Sequence, residues 1–476
     1  MKRLITAAVL LLAAVTSAFA QSDGYSARTI GMARTFSASS RGLDALGLNP
    51  ANLAIADSST SVSFTLVPPI GLNVSSDFFT LDLYNTYFTG VDSLDGNGRP
   101  TGTKIGRKLT EADKKDILGR MKDGLSHTTM NVNAMLFGAA VNIGSVGIGV
   151  SVSDHMGLSL EIPDSYVKFA FYGIDTVGSE YDFGKTSVRS LWYREYNVSA
   201  GVMLPFETKA VKDISVGVGV KMLQGFNYIS TVRNNSLIRS TPLSSDMSIT
   251  MQSDLEVVHA GIPLDSTAGD NIMKPGGKGF GFDIGASAEV LGGVRLGASV
   301  LNIGSISWSG ANNKRIVNKG AYAWRASKYD KEELDRVGEE IDSIFTSKTV
   351  DEPDFSSPLP TSLNIGASIE MRKLIGNFPL PLNLAADVHF GLNDQPGNFT
   401  STLIGLGAEL NLLGGWLPVR TGVVLGGRES VQWSAGVGIH FWNSFDIDLA
   451  TESMSIIAAP NSVKTASAIL AMKVRI

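Results

Sequence analysis

Residues 279–290 read Gly279-Phe280-Gly281-Phe282-Asp283-Ile284-Gly285-Ala286-Ser287-Ala288-Glu289-Val290. Every even position is apolar, and every odd one is Gly, Ser or an acid. A period of two is the signature of a β-strand, whose successive side chains leave opposite faces. The same alternation sets Trp433, Ala435, Val437, Ile439 and Phe441 against Gln432, Ser434, Gly436, Gly438 and His440. It returns at 361–371, and in shorter ladders at 144–153, 196–204, 214–222, 294–300, 382–390, 404–410 and 466–476. A soluble sandwich also alternates, with its apolar side inward. Its wet face usually carries Lys, Glu and Thr, whereas here the second face is mostly Gly, Ser and Asn. Small residues suit a crowded barrel interior and the apolar face suits lipid. The expected fold is therefore all-β: a transmembrane antiparallel β-barrel of about 14 strands, since single-chain barrels are even-stranded.

Working outward, the composition agrees. The chain has 476 residues, 51 glycines, no cysteine and only 18% charged residues. The missing cysteines exclude disulfide scaffolds, zinc ribbons, thiol nucleophiles and Cys-ligated iron–sulfur clusters. A formal charge of −5 gives no case for a nucleic-acid partner. Lys2 and Arg3, the apolar run Leu4–Ala14, and Ser17-Ala18-Phe19-Ala20 form a secretory signal peptide with cleavage expected after Ala20. Without Lys2 and Arg3, 38 basic residues face 45 acidic ones, a net charge of −7. No later stretch is apolar for the roughly 20 residues that a spanning helix needs.

Two insertions interrupt the strands. Thr110 with Asp113 caps an expected helix over Glu111–Met121, and Asp330 caps Lys331–Phe345. The span 226–275 mixes strand extensions with turns. Trp192, Tyr196, Trp308, Trp416, Trp433 and Trp442 sit at strand ends, where they can form interfacial girdles. Residues 27–54 are different: small, irregular and broken by Gly31 and Gly47, with Asn49-Pro50 as an N-cap followed by Pro at the first helical position. Such a segment suits a plug against a glycine-lined wall. The expected organisation is a leader at 1–20, a plug at 21–58 and a barrel at 59–476.

The segment "ARTIGMARTFSASSRGLDALGLNPANLA", the loop helix "LTEADKKDIL" and the late "LGGRES" turn (Leu425–Ser430) resemble the FadL-like outer-membrane barrels. The nearest likeness is to an uncharacterised branch, with PorV-type secretion components as relatives. The resemblance implies an outer-membrane barrel plugged by its N-terminus, passing small hydrophobic, fatty acid-like molecules inward. A PorV-like barrel that scaffolds or shuttles exported proteins is the alternative. Arg41, Asp44, Asn49, Pro50 and Ala51 form the plug motif. Expected partners are membrane lipid and lipopolysaccharide, a hydrophobic ligand, and the barrel-insertion machinery, which would read the apolar end at Ile476. A monomer without cofactor or metal is expected.

Alternation assigns Lys221, Asp283, Glu289, Arg295, Glu370, Asp387, Glu409, Arg420, Lys473 and Arg475 to the lumen, five of each sign. Desolvated charges pair, because an isolated one costs several kcal/mol. Arg41 and Asp44 can latch the plug into that set. Asp387 and His389 share a polar face and could activate water as a hydrolase dyad; the competing reading is a charge-paired lumenal histidine, and no enzyme is expected. His440 cannot be placed relative to them. No H-E-x-x-H, G-x-S-x-G or phosphate-loop motif occurs. Gly277-Lys278-Gly279 and Gly217-Val218-Gly219 fit the barrel wall.

Overall fold

The computed structural model describes residues 26–56, 61–174, 178–208, 211–242, 247–264, 272–326, 331–398, 401–427, 431–441 and 444–476. The leader, Asp330, Trp442 and the end of the Leu425–Ser430 turn lie outside these residues. Two-faced strands with no wet face must close on themselves, and fourteen do. They are β1 (Val62–Ser76), β2 (Leu125–Ile143), β3 (Val146–Pro163), β4 (Ser187–Met203), β5 (Lys212–Asn234), β6 (Gly277–Leu291) and β7 (Val294–Trp308). The ring continues with β8 (Ser362–Glu370), β9 (Leu382–Gly391), β10 (Leu403–Leu412), β11 (Leu417–Gly426), β12 (Val431–Phe441), β13 (Phe445–Thr451) and β14 (Thr465–Arg475). Each pairs antiparallel with its neighbours in the chain, and β1 closes the ring on β14. No edge is left in the ring, which is what a sheet surrounded by lipid requires.

Alternation sorts the side chains as expected. On β6, Phe280, Phe282 and Ile284 face out and are exposed, whereas Asp283 and Ser287 are buried. One end of the ring carries tight turns, such as 144–145 and 292–293. The other carries long connections, including the capped helix Glu111–Gly119 and the helix Lys331–Ile344. The span 226–275 does extend the strands: Met247–Gly261 pairs with the end of β5 and with Lys314–Ala326, so a sheet rises beyond the ring. The aromatic assignment needs one correction. Trp308 is fully buried, its Nε1 donating to Ser357 Oγ at 2.8 Å, and packs with Tyr228 and Phe355 beneath the long loops. It is a core residue of the long-loop end, because a bulge at Asn302 (φ 59°) precedes it. Trp416 and Trp433, at 40% and 52% exposure, do face outward.

Residues 26–54 are almost entirely buried and touch the inward face of every strand in the ring. Ser63 (β1), Asn142 (β2), Ser299 (β7), Ser368 (β8) and Ser434 (β12) hydrogen-bond their backbone. Gly147, Gly201, Gly217 and Gly285 leave room on β3 to β6, and Gly407 and Gly422 on β10 and β11. Asp387 on β9 accepts from the N–H groups of Phe36 and Ser37, while Ala450 (β13) and Lys473 (β14) complete the circuit. The fit is close: a Cβ at Gly147 would stand 1.8 Å from the Leu53 carbonyl oxygen, and one at Gly217 2.3 Å from the Pro50 carbonyl carbon. We expect Gly217→Val to expose residues 26–54 to protease while the ring still folds. Gly106→Val, at a loop site with nothing within 4 Å of its Cβ, should leave the cleavage pattern unchanged.

Candidate functional site: the lumen and its N-terminal segment

The Asn49-Pro50-Ala51 motif acts locally and across the lumen. Asn49 Oδ1 accepts from Ala51 N at 3.1 Å and starts the short 3-10 helix Pro50–Ala54. Its Nδ2 donates to Ser37 O at 2.7 Å, tying two stretches of the segment together. Of the two expected latches, Asp44 meets the wall: its carboxylate lies 2.8 Å from Lys473 Nζ. Arg41 does something else, since its Nη1 donates to the carbonyls of Ala38 and Ser40 and braces the segment's own turn.

The stronger clamps are arginines that the sequence reading passed over. Arg28 Nε lies 2.8 Å from Glu409, and its Nη2 donates to the second oxygen at 3.1 Å. Arg34 holds Glu452 through Nε at 2.8 Å and Nη2 at 2.9 Å. Two-point pairing fixes direction as well as charge. It also anchors strain: Ala33 and Arg34 adopt φ of 57° and 63°, a left-handed conformation costing roughly 1–2 kcal/mol per residue.

The lumenal charges are paired. Arg420 bridges Glu409 at 2.8 Å and Asp448 at 2.5 Å. Lys221 stands 2.8 Å from Asp283 and 3.2 Å from Glu195. Arg295 lies 3.4 Å from both Glu289 and Asp213, and Arg475 2.7 Å from Asp446. Glu370 lines the rim of the wide lumenal cavity and pairs there with Lys373. Asp387 and His389 both have structural partners. Asp387 spends one oxygen on two backbone N–H groups, and His389 Nδ1 lies 2.7 Å from Asn364 Oδ1 against the Phe36 ring. His440 is elsewhere, at the tight-turn end. Its ring meets Asp448 at 3.2 Å and Asp446 at 3.7 Å, and the three groups bring ligand atoms within 4.8 Å of one another. Arg420, Lys473 and Arg475 already neutralise those carboxylates, so an added metal cation would face three positive neighbours.

The segment divides two cavities. A wide one of about 970 Å³ opens at the tight-turn end and is lined by Arg28, Arg41, Asp44, Glu409, Lys473 and other polar groups. A small one of about 70 Å³ lies above Gly47 beneath the long loops. The wall itself has a flaw. Pairing of β1 with β2 stops at Phe64↔Ala139 and resumes at Ile70↔Ala134. Pro68 and Pro69 fall in the interval and have no N–H to donate. Leu66, Val67, Leu136 and Phe137 are exposed outside this seam. Behind it lie Leu43 and Leu46 of the segment with Met135, and a cavity of about 20 Å³ touches all three and Pro69.

Two outcomes follow. Removing Glu409 leaves Arg28 and Arg420 facing each other in a buried site. Glu409→Ala should therefore cost about 3–5 kcal/mol and release the segment's first turns, read by proteolysis at Arg28. For Asp44, burial pushes the carboxyl up, but the Lys473 ammonium outweighs it and holds the group below its ordinary 3.8. A depressed carboxyl stabilises the fold above its unfolded value and loses that contribution as pH falls through the folded one. Acid titration of protease protection should thus contain a step below pH 3.8 that Asp44→Asn removes.

No curated protein matches the chain by sequence. Solved structures similar to it include the Pseudomonas putida toluene transporter TodX, at 11% identity and TM-score 0.44, covering 96% of this chain and 98% of that one. A Pseudomonas aeruginosa FadL homologue is 12% identical at TM-score 0.44, covering 96% and 99%. The family described as "Family of unknown function (DUF5723)" matches residues 50–404, well over half of the sequence, and the chain belongs to it.

Proposed function

We propose that this protein is an outer-membrane channel that passes small hydrophobic molecules inward, exported with its leader removed after Ala20. In this reading residues 26–54 are its plug, and the tight-turn end faces the periplasm, as in other outer-membrane barrels. The observation that carries the reading is the β1–β2 seam. The break is backed by Leu43, Leu46 and Met135, with the Asp44–Lys473 pair beside them, and opens onto Leu66, Val67 and Phe137; across it Gly138 N donates to Thr65 Oγ1 at 3.0 Å. Because that charge is already paired, Leu43, Leu46 and Met135 give an apolar molecule a path from lumen to bilayer that avoids the wide polar cavity below. Leu43 and Leu46 of the plug's turn are the stopper at that exit.

The natural chain has no cysteine, which makes the test clean. Leu66→Cys with Phe137→Cys, bridged by a reducible bifunctional thiol reagent, should stop accumulation of a labelled hydrocarbon in cells, and reductant should restore it. Uptake that continues through the bridged barrel would rule out the seam as the exit. Uptake unaffected by loss of the gene, with exported proteins co-purifying, would favour the scaffold alternative.

A further inference from the structure

The small upper cavity differs in chemistry from the seam. Its wall includes the polar Asn131, His155, Tyr193, Glu195 and Lys221 and the apolar Leu191, Leu301 and Pro396. Tyr193 and Asn131 are 2% and 3% exposed, yet Tyr193 Oη and Asn131 Oδ1 have no hydrogen-bond partner. Buried polar groups are normally satisfied, so two orphans in one chamber mark a place where something else binds. The fixed charges are unequal: Glu195 and Asp283 share the single ammonium of Lys221. His155 stacks on Tyr193 with ring centres 4.7 Å apart and stands 3.5 Å from Glu195.

The chamber has a roof. After β9 the chain crosses the long-loop mouth, with Pro396 and Gly397 seated against Gly157 and Asn131. Arg189 on β4 ties that strap down through Asp394 and also reaches Glu161. Asn393 Nδ2 donates to Leu359 O at 2.7 Å on the other side.

Resting on the channel reading above, we propose that this chamber seats the polar head of the cargo. The head is a hydrogen-bond donor without negative charge, an alcohol or an amine. Asn131 Oδ1 can only accept, Tyr193 Oη can accept and donate, and the surplus carboxylate repels an anionic head. Among the described residues lining the chamber Lys221 is the only Lys or Arg, and Glu195 and Asp283 already share it, so a carboxylate would add a third negative group to one ammonium. At about 70 Å³ the chamber takes a head and a short stem, since an apolar cavity of about 150 Å³ is what holds benzene. The apolar tail lies along Leu191 and Leu301.

The test uses the purified full-length barrel in detergent at pH 8, with saturation-transfer NMR of 1-propanol, propylamine and propionate. Propanol and propylamine should bind and compete with each other, with propionate weaker by about tenfold or more. Tyr193→Phe, checked for heat-modifiable migration, should weaken propanol severalfold. Propionate binding as well as propanol overturns the proposal, as does absence of binding by any of the three. The comparison among probes on the unaltered protein stands even if the variant fails to fold. A barrel bridged across the seam should still bind propanol. Binding without uptake control at the seam sinks only the channel reading, and seam-controlled uptake without head selectivity sinks only this one.

Discussion

An irregular backbone inside a closed barrel has no sheet or helix to satisfy its N–H and C=O groups, and every one of them must still find a partner. That constraint organises the lumen. Residues 26–54 contain only short helical turns, so the wall supplies the bonds that regular structure would have made. Asp387 caps two consecutive N–H groups, serines on β7, β8 and β12 donate to three carbonyls, and Asn142 reaches a fourth. Asp387 and His389 share a polar face, and the Asp387 carboxylate caps two backbone N–H groups of the segment.

The same constraint explains the composition. A segment that fills the lumen needs a wall of small residues, and glycine at alternate positions provides it without widening the ring. Close approach then removes water from the interior, which forces the charges that remain into pairs. The low charge content, the glycine content and the balance of lumenal signs are thus consequences of one packing decision. The wide cavity at the tight-turn end escapes it, and there the polar side chains line open space.

The fold was legible wherever lipid and lumen impose opposite chemistries on alternate residues, as on β6, β8 and β12. It was hidden where something interrupts that contrast. Pro68-Pro69 breaks the pattern of β1, Arg420 and Thr421 blur β11, and β13 is only seven residues long. The site was less legible for a different reason. Glu409 stands out because strand parity puts it in the lumen, but its partner Arg28 lies in a segment without a period, so nothing in the sequence says which way it points. Arg34 and Glu452 are 418 residues apart, and only closure of the ring brings them together. Asn49-Pro50 could be read because capping is local.

The clamps are not spread evenly. Residues 28–44 are held by charge to β9, β10, β14 and the turn after β13, through Asp387, Glu409, Lys473 and Glu452. Residues 45–54 rest on β2 to β7 through backbone contact with glycines and a few neutral hydrogen bonds, such as Ser299 to Leu48 O and Asn142 to Leu53 O. Breaking a buried ion pair costs about 3–5 kcal/mol, whereas a neutral hydrogen bond contributes about 1 kcal/mol net. On these contacts the second half is held more weakly than the charged half. Leu46 belongs to that second half and Leu43 to the end of the first, and both back the β1–β2 seam. Gly47, which borders the upper chamber, is the next residue but one to Ala45. The weakly held part of the segment is thus the part that lies between the polar chamber and the β1–β2 seam.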